Sequence, residues 1–361
     1  MRDGMVVVDS DRHVVEPVAA WVDRLAPELR GLAPRLVEAD GEVYWAILEG
    51  RRLQHRYDAR ARAEVAKMMP RVGFRAAADH LRHMDGYGID VAVMLPTLGL
   101  YVLAIEEMEA EVAAAFARAY NDWLLEFCAA ASGRLVPAAA LALHDPRLAL
   151  AEATRMADLG VRAIVVRPNP VRGRLLGDAA YGPLWGLCEA RSIAVVCHEG
   201  THAHLPTAGA DRFSSRFAQH ACSHPMEQMM AFLGLLEGGV FERYPGLRVG
   251  FFEAGAGWVP YWLWRLDEEY RCLGGEVRAT VKRAPSAYFK RQCWVAVEPG
   301  EPNLAAVVES VGADNLLFGT DFPHPDHDAD AADAVFELGA ALGGEVLRKI
   351  VSDNPRRFYG L

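Results

Sequence analysis

The stretch MVVVDSDRHVVEP, residues 5–17, decides the fold. Its apolar run reads as a short strand over Met5–Asp9, followed at once by the polar residues Ser10, Asp11, Arg12 and His13. A doubly wound dinucleotide-binding sheet would place a glycine-rich phosphate turn here, and the chain has none. Working outward, further strands are predicted at Val91–Pro96, Leu135–Ala142, Val161–Arg167, Ile193–His198, Leu247–Glu253, Cys293–Val297 and Asn315–Asp321. Helical patterns lie between them, at Glu106–Ser132, Pro146–Leu159, His224–Arg243, Trp258–Tyr270 and Leu304–Val311. Strands of buried type alternating with helix-length crossovers are the βαβ signature of a parallel sheet, and about eight of them close a barrel. The expected fold is therefore α/β, a (β/α)8 TIM barrel spanning residues 1–361 as one domain. Long insertions follow the first strand, where residues 16–75 form a lid region, and the fifth, at Glu199–Ser223. Connections of that length are usually functional, and because each follows a strand, both belong to the catalytic face.

Composition bounds the function. The chain has 361 residues, 52% hydrophobic and 24% charged, which excludes a disordered class and allows a large core. A net charge of −10 argues against nucleic acid as a partner, since duplex binding needs a basic face. No apolar run approaches the ~20 residues that span a bilayer, and no signal-type segment opens the chain, so a cytoplasmic protein without a membrane partner is expected. The cysteines (Cys128, Cys188, Cys197, Cys222, Cys272 and Cys293) never form a C-x-x-C pair, which speaks against both a zinc ribbon and a disulfide framework. A homo-oligomer stays open.

Chemistry gathers at the predicted strand ends. Asp11 and His13 are two apart, so an extended chain points both to one side; a strand-end turn is the plainer alternative. The fifth strand ends on His198, the sixth on Glu253 and the eighth on Asp321, with His324 three residues later. Four such strand ends at one barrel mouth are hard to explain by core packing, and they point to a metal site made by Asp11, His13, His198, Glu253 and Asp321. His202 and His224 follow the fifth strand and are candidates for a second metal; the alternatives are a solvated loop residue and a helix-start residue.

The D-x-H opening with its Glu16-Pro17, the strand-five histidine, the run GVFERYPGLR at 239–248, GTDFP at 319–323 and the terminal DNPRRFYG at 353–360 resemble the amidohydrolase-related family of metal-dependent TIM-barrel decarboxylases and hydrolases. Decarboxylases of that family often open with His-x-His or Glu-x-His and carry a strand-six histidine; here Asp11 and Glu253 stand in those places. This Asp/Glu variant is similar to the family's nonheme diiron monooxygenases of platensimycin and platencin biosynthesis. That likeness implies two iron ions, dioxygen as co-substrate and hydroxylation of an apolar, coenzyme A-linked, diterpenoid-like substrate in secondary metabolism. Glu253 would bridge the metals and, with His324, serve catalysis. Carboxylates mixed with imidazoles suit iron or manganese. Electrons would come from an external donor, since no flavin or nicotinamide fingerprint is visible.

A basic island supports a phosphate-bearing substrate. Residues 49–75 hold Arg51, Arg52, Arg56, Arg60, Arg62, Lys67, Arg71 and Arg75 against Glu49, Asp58 and Glu64. Arginine forks suit phosphates, so Arg52 and Arg56 are expected to contact substrate; a solvated helix face is the alternative. Arg167 is expected to anchor substrate and Trp258 to line an apolar pocket. The rival reading is a mononuclear zinc or manganese decarboxylase or hydrolase of the same family, distinguished by metal count and identity.

Overall fold

The computed structural model describes residues 4–39, 42–48, 50–52, 73–200, 207–298, 300–324 and 331–361. The strands are β1 (Val8–His13), β2 (Arg35–Ala39), β3 (Glu42–Ile47), β4 (Arg51–Arg52), β5 (Val91–Leu95), β6 (Leu135–Ala140), β7 (Ala163–Val166), β8 (Ala194–His198), β9 (Arg248–Phe252), β10 (Cys293–Val297) and β11 (Leu316–Phe318). Eight of them form one parallel sheet in the order β1-β5-β6-β7-β8-β9-β10-β11. Beyond β11, Thr320 and Asp321 donate their N–H groups to the Asp11 carbonyl at 3.1 and 2.8 Å, and His13 N–H reaches the Phe322 carbonyl at 2.8 Å. These bonds bring the last strand back to the first and close the (β/α)8 barrel.

The strands are near-continuous apolar runs because both faces are covered. Their period of two splits the core into layers. Val93, Leu95, Ala163, Val165, Ala194 and Val196 point into the barrel, while Ala92, Met94, Ile164, Val195 and Cys197 pack under the helices. Phe358 and Tyr359, from the C-terminal helix Asn354–Tyr359, plug the base. The Phe358 ring lies 5.1 Å from Trp294 and 6.2 Å from Phe252, and Tyr359 donates to the Ser10 carbonyl at 2.8 Å. Gly250 has no room for a side chain there: a Cβ would stand 2.6 Å from the Phe252 ring and 2.8 Å from Phe358.

Three boundaries differ from expectation. The first strand is Val8–His13 rather than Met5–Asp9, because its polar residues are buried and paired at the mouth rather than turned to water. The first insertion is not wholly irregular, since β2, β3 and β4 form an antiparallel sheet with Ile47 in the core and Arg51 paired to Glu107 at 2.9 Å. The helix after β8 is Arg216–Glu237, starting eight residues before the expected His224. Ser215 caps it by accepting from Ala218 N–H, and Pro225 is carried inside the helix rather than opening it. Among the described residues no helix is long and apolar enough to cross a membrane.

Candidate metal centre

Between Asp9 and Arg12, β1 carries one residue more than β5 opposite it, a bulge that re-aims its side chains. Asp11 and His13 turn into the mouth, while Arg12 turns outward and is fully buried. Its Nε donates to His80 Nδ1 at 3.1 Å and its Nη1 to Asp9 at 3.3 Å, and its guanidinium lies 4.2 Å over the Phe322 ring. Burial lowers the Arg12 pKa to about 10 against the pull of Asp9. It lowers His80 to about 3, helped by the Arg12 charge. Asp9 also accepts from Thr320 N–H and Thr320 Oγ1, at 2.9 and 2.7 Å, tying β1 to the last strand end.

The mouth collects the predicted strand-end residues. His13 Nε2 lies 3.2 Å from Asp11 Oδ1 and 3.2 Å from Asp321 Oδ1, and His198 Nε2 lies 3.5 Å from Asp11 Oδ1. Glu253 stands between two imidazoles, 3.4 Å from His198 Nε2 and 3.3 Å from His224 Nε2. Asp321 takes a 2.7 Å hydrogen bond from His324 Nδ1, and His324 Nε2 is 2.9 Å from Thr97 Oγ1. Glu253 (φ 54°) and Asp321 (φ 53°) both hold left-handed backbone without being glycine, a strain that persists where structure over-determines it and that is common at functional sites.

The donor set fits a divalent cation. Asp11 Oδ1, His13 Nε2 and His198 Nε2 are buried with no hydrogen-bond partner, and these atoms lie within 4.8 Å of one another. Lone pairs brought so close repel unless a cation or a proton lies among them. The far nitrogens are already engaged: His13 Nδ1 donates to the Pro96 carbonyl and His198 Nδ1 to the Glu199 carbonyl, both at 2.8 Å. A carbonyl only accepts, so each ring carries its proton on Nδ1 and presents Nε2 inward, as metal-binding histidines do. With Asp321 the set is two imidazoles and two carboxylates without sulfur, which suits zinc, iron or manganese. Burial disfavours charge on Asp11, Asp321, His13 and His324, yet their mutual contacts win. The acids are held below their ordinary values by the histidines and the histidines above theirs by the acids.

Other expected residues lie elsewhere. His202 and Arg56 fall outside the described residues, as do Arg60, Arg62, Lys67 and Arg71. Arg52 is half-buried on β4, 4.2 Å over the Tyr44 ring. Arg167 is spoken for: its fork donates to Glu199 Oε1 and the Gly200 carbonyl, both at 2.7 Å, and its Nε to Asn169 at 3.2 Å. It thus holds the turn after β8. Trp258 is buried and packs with Phe251 and Phe289, whose ring centres lie 6.0 and 6.5 Å away. Thr97, Glu199 and the outward partners of Arg12 escaped notice in the sequence. Thr97 carried a signal, being the polar residue just past the β5 end.

The whole barrel matches one known family, whose amidohydrolase profile covers residues 8–361. The chain belongs to the amidohydrolase family. Among curated relatives, it is 28% identical to gamma-resorcylate decarboxylase of Rhizobium sp. (strain MTP-10005) over 296 residues, 78% of this chain and 86% of the relative. An amidohydrolase of known structure from Mycobacterium avium subsp. paratuberculosis superposes with a TM-score of 0.79 at 22% identity, covering 99% of this chain and 100% of the other. A dihydroxybenzoic acid decarboxylase from Polaromonas sp. JS666, solved with manganese and the inhibitor 2-nitroresorcinol, gives 0.68 at 21% identity, covering 99% and 97%.

These findings correct the functional expectation. The matched relative is named a decarboxylase, so the oxidoreductase reading, with its hydroxylation of an acyl-CoA substrate and its external electron donor, is overturned. Two irons and dioxygen fall with it: manganese is the metal of the structural neighbour. The error has a chemical source. Carboxylate and imidazole ligands serve a cation that only supplies charge as well as one that changes oxidation state, so residue types at the strand ends do not separate the two.

Proposed function

We propose that this chain is a metal-dependent decarboxylase of a small aromatic carboxylate. The convergence of three buried, unpartnered ligand atoms from Asp11, His13 and His198 beside the Asp321–His324 pair carries the reading. The names of the relatives supply the reaction class. Asp11, His13, His198 and Asp321 would hold the cation, and Glu253 with His224 would form the adjoining wall. A bound divalent cation supplies Lewis-acid charge that orients substrate oxygens.

Replacing a carboxylate by hydrogen breaks one C–C bond, releases carbon dioxide and requires one proton at the carbon left behind. Two groups at the mouth can move that proton: His324, oriented by Asp321 and Thr97, and Glu253, which stands 3.3 Å from His224 Nε2. Their neighbours restrict each to a narrow range of positions, which is what general acid catalysis demands. Within the insertion at residues 16–75, the described strands β2–β4 are tied to the loop after β5 by the Arg51–Glu107 ion pair, which supports a lid role for them. Arg51 and Arg52 are engaged with Glu107 and Tyr44.

The test is direct. Protein reconstituted with Mn2+ and given hydroxybenzoates is expected to release carbon dioxide in amounts equal to the arene formed, and a chelator should stop it. Ester or amide hydrolysis without carbon dioxide release would replace this reading with a hydrolytic one.

A further inference from the structure

We infer that Glu16 is a positioning residue that sets two histidines of the site at once, through residues 96–99 beyond the end of β5. The inference deepens the proposed metal-dependent function, on which it rests.

Glu16 is fully buried, and its carboxylate is covered by three consecutive backbone donors. Oε1 accepts from Thr97 N–H at 3.1 Å and Gly99 N–H at 3.0 Å, and Oε2 accepts from Leu98 N–H at 2.8 Å. Buried carboxylates are costly unless hydrogen-bonded, so this one is retained for what it holds. It holds a short connection with both ends in the metal centre. The carbonyl of Pro96 receives the Nδ1 proton of His13 at 2.8 Å. The hydroxyl of Thr97 meets Nε2 of His324 at 2.9 Å, while the other nitrogen of that ring bonds Asp321. Moving the connection would loosen the proton placement that leaves His13 Nε2 bare, and would remove the stop against which His324 is oriented.

The packing leaves the connection no alternative seat. A Cβ on Gly99 would stand 2.9 Å from Pro96 Cβ and 3.2 Å from Glu16 Oε1, so glycine is needed for the backbone to approach the carboxylate. Leu100 packs just behind, where a Cβ on Gly200 would stand 2.9 Å from it. The sequence logic follows. Asp11 and His13 enter the site from β1, and three residues later the same strand end sends Glu16 across to fix the neighbouring strand's loop against them. An amide cannot do this, because three N–H donors face the carboxylate and an NH2 group would oppose at least one of them.

The experiment uses full-length protein loaded with Zn2+, which is diamagnetic, with 15N-labelled histidine. In the wild type, His13 is expected to show a protonated Nδ1 and a metal-bound Nε2. Glu16→Gln is expected to lower Zn2+ affinity at least about tenfold, the usual cost of removing an outer hydrogen-bond partner, and to broaden or split the His13 signals. Gly99→Ala, which displaces the same loop while leaving Glu16 a carboxylate, should do likewise. Thr97→Val should shift the His324 signals and leave those of His13 in place, with Thr97→Ser restoring the wild-type pattern. Asn121→Ala is the control for a purely structural staple, since Asn121 binds the Ala140 backbone at the end of β6. It should lower Tm with Zn2+ affinity and His13 signals unchanged.

If Glu16→Gln and Gly99→Ala lower Tm like Asn121→Ala while affinity stays within twofold and the His13 signals are unaltered, the inference is wrong. Should Glu16→Gln fail to fold, Gly99→Ala and the Thr97 pair decide by the same readouts. None of these measurements uses a substrate, so their failure is distinct from a failure of wild-type protein to release carbon dioxide.

Discussion

At the base of the barrel, Phe358 packs on Trp294 and Phe252, Gly250 makes room for it, and Tyr359 satisfies the Ser10 carbonyl. At the mouth, Asp11, His13 and His198 bring unpartnered buried atoms together, and Glu253 and Asp321 hold left-handed backbone to aim their carboxylates inward. The base gains free energy from every contact, whereas the mouth gives some up. A polar atom buried without a partner costs about 1–3 kcal/mol, and a strained φ a similar amount. The difference teaches where to look for function: the same strands are stabilising at one end and chemically poised at the other.

The widest separation between the two ends should appear in metal dependence. His198→Ala removes one ligand and one orphaned nitrogen, so turnover should drop to background and the Tm rise expected on adding Zn2+ should vanish. For the wild type, that rise corresponds to about 4 kcal/mol at a thousandfold excess over Kd. The metal-free protein should be as stable as wild type or more so. Full metal content in purified His198→Ala would break the comparison.

Phe358→Ala tests the other end. Deleting a buried aromatic side chain should cost about 3–5 kcal/mol in denaturant unfolding, yet metal per folded molecule should stay unchanged. Loss of metal from the folded fraction would show that base and mouth are not separable.

Gly319→Ala brings the two kinds of cost together. A Cβ there would stand 2.5 Å from Asp11 Cβ, so the strand end must shift. Stability should fall by about 1–3 kcal/mol and Zn2+ affinity should fall with it. Calorimetry that finds unchanged affinity would mean Asp11 is not a ligand.

The smallest effect is on pH. Burial opposes charge on His13, but Asp11 and Asp321 raise its pKa well above the ordinary histidine value in the metal-free site, so a proton competes with the cation. Affinity should weaken as pH falls and strengthen as it rises, by up to about tenfold per unit while one proton is exchanged. Dialysis against Zn2+ at several pH values checks this. A flat profile would contradict it.

How much of this was legible in the sequence follows from the same contrast. The apolar strands Val91–Leu95, Ala194–His198 and Cys293–Val297 announce themselves, because burial on both faces leaves a continuous run. The ligand types at 11, 13, 198, 253 and 321 are legible for a related reason, since charged groups are out of place at the ends of such runs. The polar half of β1 was not, because Asp9 and Arg12 are neutralised by Thr320, His80 and Phe322, partners far away in the chain. Arg167 reads as a ligand anchor until Glu199 is seen beside it. Trp258 reads as pocket or core, and its ring packs against Phe251. The reaction itself is not legible in the sequence because it depends on the metal and substrate that the cluster accepts, and residue identity constrains both only loosely.

Decarboxylation at this mouth requires proton delivery to the carbon that loses its carboxylate. A reaction run with Mn2+-loaded protein in D2O, and again in H2 18O under 18O2, reads that event in the product by mass spectrometry. The expected arene carries one deuterium at the carbon that lost carbon dioxide and no 18O. An arene or acid bearing 18O, with no deuterium at that carbon, would contradict the account.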